Sequence, residues 1–255
     1  MLLAIDLGNT TTVFGVYDNE KLTKHWRLST QKLRTVDEYG ILLRNLFALE
    51  QLDVGDIDAI IIASVVPPLD PTLDEMARRY FSVEPIFVSS ENAGISILYH
   101  DPHEVGADRI VDAVAALERY GTPAIIVDMG TATTFDGITR DGSYLGGLIA
   151  PGIEISARAL REGAARLPQI DIQKPNELIG RSTETSMQSG FFWGYVSLVD
   201  GIIERMKAEL GEDAHVITTG GMAGLVAEES RWISRIDNDL TLYGLHLVAK
   251  KLGMT

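Results

Sequence analysis

The sequence predicts an α/β protein built from two related halves, and three observations carry that reading. The first is a repeat: Asp6–Gly15 lines up with Asp128–Gly137 at an offset of 122 residues, each copy with aspartate first, glycine third and threonines after it. The second is its setting. An apolar run precedes each copy, Leu2–Ile5 and Ala124–Val127, and a β-like run follows, so each reads as strand, tight turn, strand. The third is the mixture of apolar strand-like runs and helical spacing along the rest of the chain.

In chain order, the first half predicts strands near 2–7, 11–18 and 22–29. A helix near 36–50 follows, with Tyr39, Leu42, Leu43 and Leu46 on one face. Ile57–Val66 reads as a buried strand, ended by Pro67 and Pro68 because proline cannot continue the ladder. A helix near 70–80, a short strand 85–88 and a loop through 92–103 come next. After Gly106, Ile110, Val111, Val114 and Leu117 recur at helical spacing up to Gly121. The second half repeats the opening, with strands near 124–128, 132–139 and 143–149, then Pro151 and Gly152 ahead of a helix to about Arg166. A loop over 167–180, a long helix near 185–210, a strand 216–219 running into Gly220 and Gly221, and a helix near 240–252 complete the chain. The expected domains are 1–118 and 119–255, each large enough to bury a core.

Composition narrows the function. Of 255 residues, 45% are hydrophobic and 23% charged, the balance of a folded globular protein. No apolar run approaches the roughly 18 residues of a membrane span, and the N-terminus enters a strand without the features of a signal peptide, so a cytoplasmic protein with no membrane partner is expected. There are no cysteines, which excludes disulfides, thiolate zinc sites and cysteine nucleophiles. A formal net charge of −14 opposes a nucleic-acid surface, which needs clustered Lys and Arg. It does not oppose a small anion held by backbone N–H groups, a metal ion and one or two arginines.

Aspartate and glycine alone suffice for a hairpin turn, but a turn does not require matching hydroxyl runs in both copies. Two loops of this kind suit a polyphosphate. Neither contains lysine, and no Gly-Lys-Ser loop occurs, so this is not a P-loop. Neutralisation must come from metal ions and backbone dipoles, and Asp6 and Asp128 suit direct or water-mediated contact with Mg²⁺. Asp108, just ahead of an apolar-periodic segment, also fits a helix N-cap. The five histidines lack metal spacing and are expected to be solvated or locally hydrogen-bonded. Phe191, Tyr195, Leu198, Val199, Ile202 and Met206 form a helical stripe that suits core packing or a partner surface. Asp53, Asp56 and Asp58 read as a solvated face.

Several short motifs then coincide in order along nearly the full length. They are Asp6–Thr10, Asp128–Thr133 and Gly220–Gly221; His100–Pro102 and Val105–Arg109; Gly146–Gly152; and Gly180–Thr183 followed by Met187–Gly190. The first three resemble the nucleotide-contact elements of the superfamily of acetate and sugar kinases, heat-shock chaperones and actin. The whole chain resembles the type III pantothenate kinases. The resemblance implies two duplicated actin-like (ribonuclease H-like) domains with mixed sheets flanked by helices, and ATP-dependent phosphorylation of pantothenate to 4′-phosphopantothenate, the first step of coenzyme A biosynthesis. It implies nucleotide contacts at Asp6, Leu7, Gly8, Asn9, Thr10, Thr11, Thr12, Val13, Thr131, Gly220 and Gly221. It implies substrate contacts at Tyr99, Gly106, Ala107, Asp108, Arg109 and Thr183, with Asp108 as general base and Thr183 offered to a neighbouring subunit of a homodimer. ATP, Mg²⁺ near Asp6 and a monovalent cation, K⁺ or NH₄⁺, at Asp128 are the implied cofactors. The alternatives are a non-enzymatic regulatory or accessory protein on the same fold, which would have little reason to keep Asp108 and Arg109, and an actin-like ATPase or kinase for another small alcohol.

Overall fold

The computed structural model describes residues 1–254. They form two compact units: residues 1–95, 99–115 and from Asp239 onward in one, and 96–98 with 116–238 in the other.

The first unit is built on β1 (Leu2–Leu7), a nearly unbroken apolar run that is almost wholly buried. Such a run belongs in a sheet interior covered on both faces. It lies in a five-stranded sheet of order β3-β2-β1-β4-β5, with β2 (Thr11–Asp18), β3 (Lys21–Ser29), β4 (Ala59–Ser64) and β5 (Ile86–Phe87). β1 runs antiparallel to β2 and parallel to β4. Strand β3, with exposed Lys21, His25, Arg27 and Ser29, is an edge.

Helix α1 (Val36–Leu49) starts where Thr35 closes a capping box: Glu38 N–H donates to Thr35 Oγ1 at 3.3 Å, and Thr35 N–H donates to Glu38 Oε2 at 2.7 Å. Its buried face of Tyr39, Leu43 and Phe47 packs with Leu3, Ile5, Leu7 and Phe14 of the sheet. Helix α2 (Asp70–Met76) adds Leu73 and Met76 to the same core. The predicted helix over 70–80 is not uniform: α2 passes into a π-helical turn over 77–81 that ends on Ser82 in the left-handed region, φ +59°. Helix α3 (Ala107–Tyr120) and α7 (Leu240–Lys251) follow. α7 packs on β1, β2 and β4. Gly244 of α7 lies so close to α3 that a methyl there would stand 2.0 Å from the Val111 carbonyl oxygen.

The second unit repeats the plan. Strands β6 (Ala124–Met129), β7 (Ala132–Ile138), β8 (Tyr144–Pro151) and β9 (His215–Thr219) form a sheet of order β8-β7-β6-β9, with β6 antiparallel to β7 and parallel to β9. Helices α4 (Ile153–Gly163), α5 (Thr183–Leu210) and α6 (Ala223–Ala227) complete it. Phe192, Tyr195, Val199 and Ile203 of α5 pack with Ile125, Val127 and Phe135. Of the predicted stripe, Leu198 stays 36% exposed. Helix α5 begins two residues earlier than its spacing predicts, because Ser182 accepts the Thr185 N–H at 3.2 Å as N-cap. Helix α4 ends at Gly163, short of Arg166.

The duplication is structural, but its register differs from the ungapped sequence match. Asp6 pairs with Val13 across the first hairpin, whereas Asp128 pairs with Thr134 across the second, one residue sooner. Thr12 is therefore the counterpart of Thr133, and Phe14 of Phe135; all four are fully buried. Each hairpin's outer ladder also carries an irregularity at the matching place, Val16/Tyr17 and Gly137/Ile138.

Gly244→Ala places a methyl against backbone that has no room to yield. It is expected to lower unfolding stability by about 3 kcal/mol, at the upper end of overpacking costs, whereas Gly163→Ala, with nothing near, stays within about 0.5 kcal/mol. Urea denaturation of the two variants checks both.

Candidate functional site

In each unit an Asp–Gly turn sits at the carboxyl end of a parallel strand pair, the position at which open α/β sheets bind ligands. In the first unit Asp6 is half-buried beside Ala63 of β4, and the chain turns through Gly8, Asn9 and Thr10 into β2. Gly8 N–H donates to the Thr11 carbonyl at 3.1 Å, and a methyl at Gly8 would come within 2.9 Å of that oxygen. The turn is braced from β3 and the residue after it: Thr30 Oγ1 donates to the Gly8 carbonyl at 2.7 Å and lies 2.8 Å from Thr12 Oγ1, and Thr30 N–H donates to the Thr10 carbonyl at 2.9 Å. Asn9 and Thr10 are exposed, Thr11 and Val13 half-buried.

The segment before α3 belongs to the same unit and reaches the same turn through Val65. Val65 N–H donates to the Leu7 carbonyl at 3.1 Å. Its Cγ1 would stand 3.3 Å from a methyl at Gly106. That methyl would also meet Asp108 Oδ1 at 2.6 Å, so the Asp108 side chain folds back across Gly106, and only glycine leaves it room. Asp108 is not the N-cap. It lies inside the first turn of α3, where Oδ1 accepts the Arg109 N–H at 2.7 Å. The carboxylate thus satisfies one first-turn donor while half-buried, a position the helix dipole favours. Ala107 and Arg109 are buried, and Tyr99 is half-buried in the loop ahead of them.

In the second unit Asp128 is half-buried beside Thr219 of β9. A methyl at Gly220 (φ +92°) would lie 2.5 Å from Asp128 Oδ1 and 2.6 Å from Met129 backbone atoms, so the carboxylate rests over this glycine. Gly130 N–H donates to the Ala132 carbonyl at 3.0 Å, and Gly152 N–H to the Thr131 carbonyl at 3.2 Å; a methyl at Gly152 would stand 2.4 Å from the Thr131 oxygen. Thr131 and Gly221 are exposed. Backbone cradles without room for a Cβ, opening beside a carboxylate, fit phosphate oxygens and their counter-cations.

One neighbour of this turn carries no sequence signal beyond helical spacing. Tyr195 of α5 places its hydroxyl in hydrogen-bond contact with Thr133 Oγ1. Burial, and then the nearby Asp128 carboxylate, push the phenol well above its ordinary range, so it stays protonated. Thr183 is exposed as the first residue of α5. It lines an open groove of about 930 Å³ with Leu160, Arg181, Met187 and Phe191. Among the histidines, His246 is 1% exposed, stacked on Tyr17 at 4.4 Å and 3.2 Å from Glu20 Oε2. Asp53 caps a short 3₁₀ turn by accepting the Gly55 N–H at 2.8 Å, and Asp58 pairs with the N-terminal ammonium at 2.6 Å.

The duplicated sheets, each with an Asp–Gly turn, give the actin-like α/β fold. Solved structures share the fold: the activator of 2-hydroxyisocaproyl-CoA dehydratase from Clostridium difficile (14% identity, TM-score 0.54, 99% of this chain and 94% of that one) and ethanolamine utilization protein EutJ from Carboxydothermus hydrogenoformans (16%, 0.56, 96% and 89%). A family model described as type III pantothenate kinase matches residues 2–205. Relatives named type III pantothenate kinase include those of Koribacter versatilis, 50% identical over 97% of this chain and 94% of the relative, and Halalkalibacterium halodurans, 52% identical over 98% and 99%. The chain belongs to the type III pantothenate kinase family. No helix among the described residues is long and apolar enough to cross a membrane.

Gly220→Ala forces a Cβ onto Asp128 in a backbone conformation that side chains rarely adopt. The variant is expected to raise the Michaelis constant for ATP by about tenfold or more, as ångström-scale misplacement does, while leaving that for the acceptor near wild type. Steady-state kinetics with each substrate varied in turn checks this.

Proposed function

We propose that the protein transfers the γ-phosphoryl group of ATP to the primary hydroxyl of pantothenate, giving 4′-phosphopantothenate, the entry step of coenzyme A biosynthesis. Membership of the family supports the reaction, and one observation in the fold supports its chemistry. The segment carrying Asp108 and the first Asp–Gly turn meet on the same residue, Val65. A carboxylate held beside a phosphate-binding turn is what in-line phosphoryl transfer to an alcohol requires, because that reaction depends on positioning and charge more than on covalent help.

On this reading, Asp108 takes the proton from the attacking hydroxyl as the new P–O bond forms, and the Arg109 N–H donor to Oδ1 aims its carboxylate. Arg109, Tyr99, Gly106, Ala107 and Thr183 bind pantothenate, Arg109 supplying a fixed cation for an anionic substrate. Thr183 serves the site of a second copy in a homodimer, a role its exposed place at the start of α5 suits. Each unit offers nucleotide-phosphate contacts of its own, at the turn over Asp6–Val13 in the first and at the turn over Asp128–Thr133 with Gly220 and Gly221 in the second. Mg²⁺ near Asp6 and K⁺ or NH₄⁺ at Asp128, when bound, offset phosphate charge. The enzyme works in the cytoplasm.

Coupled ADP-release assays with Mg²⁺ATP should show turnover that depends on pantothenate and is greater in K⁺ than in Na⁺; no pantothenate-dependent release in K⁺ would sink the assignment. Asp108→Asn should keep nucleotide binding and lose at least about 10²-fold in kcat, the scale of general-base loss. Thr183→Ala should raise the Michaelis constant for pantothenate and not for ATP, and the reverse pattern removes Thr183 from the acceptor site.

A further inference from the structure

The end of β4 and the residues after it carry an arrangement that the reaction as described does not use. Ser64 is the last residue of β4 and lies beside Leu7 in the parallel ladder. Its hydroxyl donates to Asp70 Oδ1 at the start of α2, and Ser64 Oγ itself accepts the Val66 N–H at 3.2 Å. The Ser64 side chain thus ties the residues on either side of Val65 into one short turn. The Val65 carbonyl also faces the Asn9 amide at 3.5 Å. Val65 is therefore bonded through its backbone to Leu7, where the Asp–Gly turn begins, and its Cγ1 and Asp108 Oδ1 both close on the space that a methyl at Gly106 would fill.

We propose that Ser64 and Asp70 are positioning residues for phosphoryl transfer: their hydrogen bond sets the 64–66 turn, and Val65, held by it, fixes the spacing between the first phosphate turn and Asp108. The proposal rests on Asp108 being the general base. The role assigned to Ser64 and Asp70 requires no contact with substrate. The geometry is specific in three respects. A backbone bond from Val65 N–H to Leu7 fixes the height of Val65 relative to β1. A branched side chain in van der Waals range of Gly106 transmits that height to α3. Asp70 completes the turn by accepting the Ser64 hydroxyl, a hydrogen bond that opposes the rise in its pKa caused by burial.

A double-mutant cycle separates this role from a merely structural one. Ser64→Ala is expected to lower kcat about tenfold with both Michaelis constants within about twofold, as a small misplacement of the base does. Ser64→Thr, which keeps the hydroxyl, should restore most of the rate. In an Asp108→Asn background, Ser64→Ala should cost under about twofold, because residues that act through one group are not additive. A tenfold loss that persists without the Asp108 carboxylate, or wild-type kcat in Ser64→Ala, overturns the proposal. Wild-type turnover in Asp108→Asn alone overturns the general-base assignment instead, and the cycle reports the two failures separately. Val65→Ala leaves the Ser64–Asp70 bond and the Val65 backbone bonds in place. If Ser64→Ala does not fold, Val65→Ala must show the same loss and the same non-additivity, and additive behaviour there refutes the idea.

Discussion

Everything chemical in this protein depends on how tightly the backbone closes where a central strand gives way to its turn. At the ends of β1 and β6 a carboxylate-bearing residue is followed within two positions by a glycine; neighbouring atoms crowd Gly8 itself in the first unit and, in the second, Gly152 and Gly220 beside the turn, whereas Gly130 has room for a methyl. Gly8 is crowded by Thr11, Gly152 by Thr131, Gly220 by Asp128 and Met129, and Gly106 by Asp108. Such closeness has two effects. It turns backbone N–H groups and carbonyls into a surface that a small anion can approach, and it leaves the aspartates few places to go. A surface loop with the same residues but looser packing would offer the same atoms without holding them in place.

The two copies solve the same mechanical problem with different braces. In the first unit the buried Thr12 hydroxyl meets Thr30, which follows β3, and Thr30 in turn holds the Gly8 carbonyl, so the turn is secured from its own sheet edge. In the second unit the counterpart Thr133 meets Tyr195 from helix α5. The single extra residue in the first hairpin, between Asp6 and Val13, accompanies this difference. A longer turn needs support along its length, and Thr30 supplies it by bonding at Thr10, Thr12 and Gly8; the shorter turn is secured by close backbone contact at Gly130, Thr131 and Gly152.

Much of this was legible in the sequence because local rules and the tertiary fold agree. Apolar runs mark β1, β4 and β6 as central strands and the spacing of Ile110, Val111 and Val114 marks α3, although β4 covers only Ala59–Ser64 of the predicted 57–66 and ends ahead of Pro67 and Pro68. The shift of one residue between the hairpins was not legible, because the glycines at 15 and 137 favour an ungapped match and only the ladder register shows that Phe14 answers Phe135. The π-helical turn after α2 escaped for another reason: it needs Ser82 in a left-handed conformation that serine does not advertise. In sequence, Asp108 fits both a helix cap and, by the family resemblance, a general base. The fold accounts for the ambiguity, since a residue one place inside the helix takes a first-turn N–H while its carboxylate folds over Gly106, the glycine that Val65 approaches.

Charge explains why carboxylates and not lysines line these turns. A lysine in a turn this tight would need an extended side chain and would bring a permanent cation whether or not nucleotide is present. An aspartate seated over a glycine is compact, and with phosphates nearby it creates a local excess of negative charge that only mobile cations relieve. In a chain of net charge −14 that excess is not cancelled by the surface at large. On the proposed reading, phosphate affinity is then governed by which cations accompany the nucleotide, and Asp128 is the point at which the fold selects among them. Tyr195 leaves that charge undisturbed: burial and the nearby Asp128 carboxylate keep its phenol protonated, so it adds no charge of its own beside the turn.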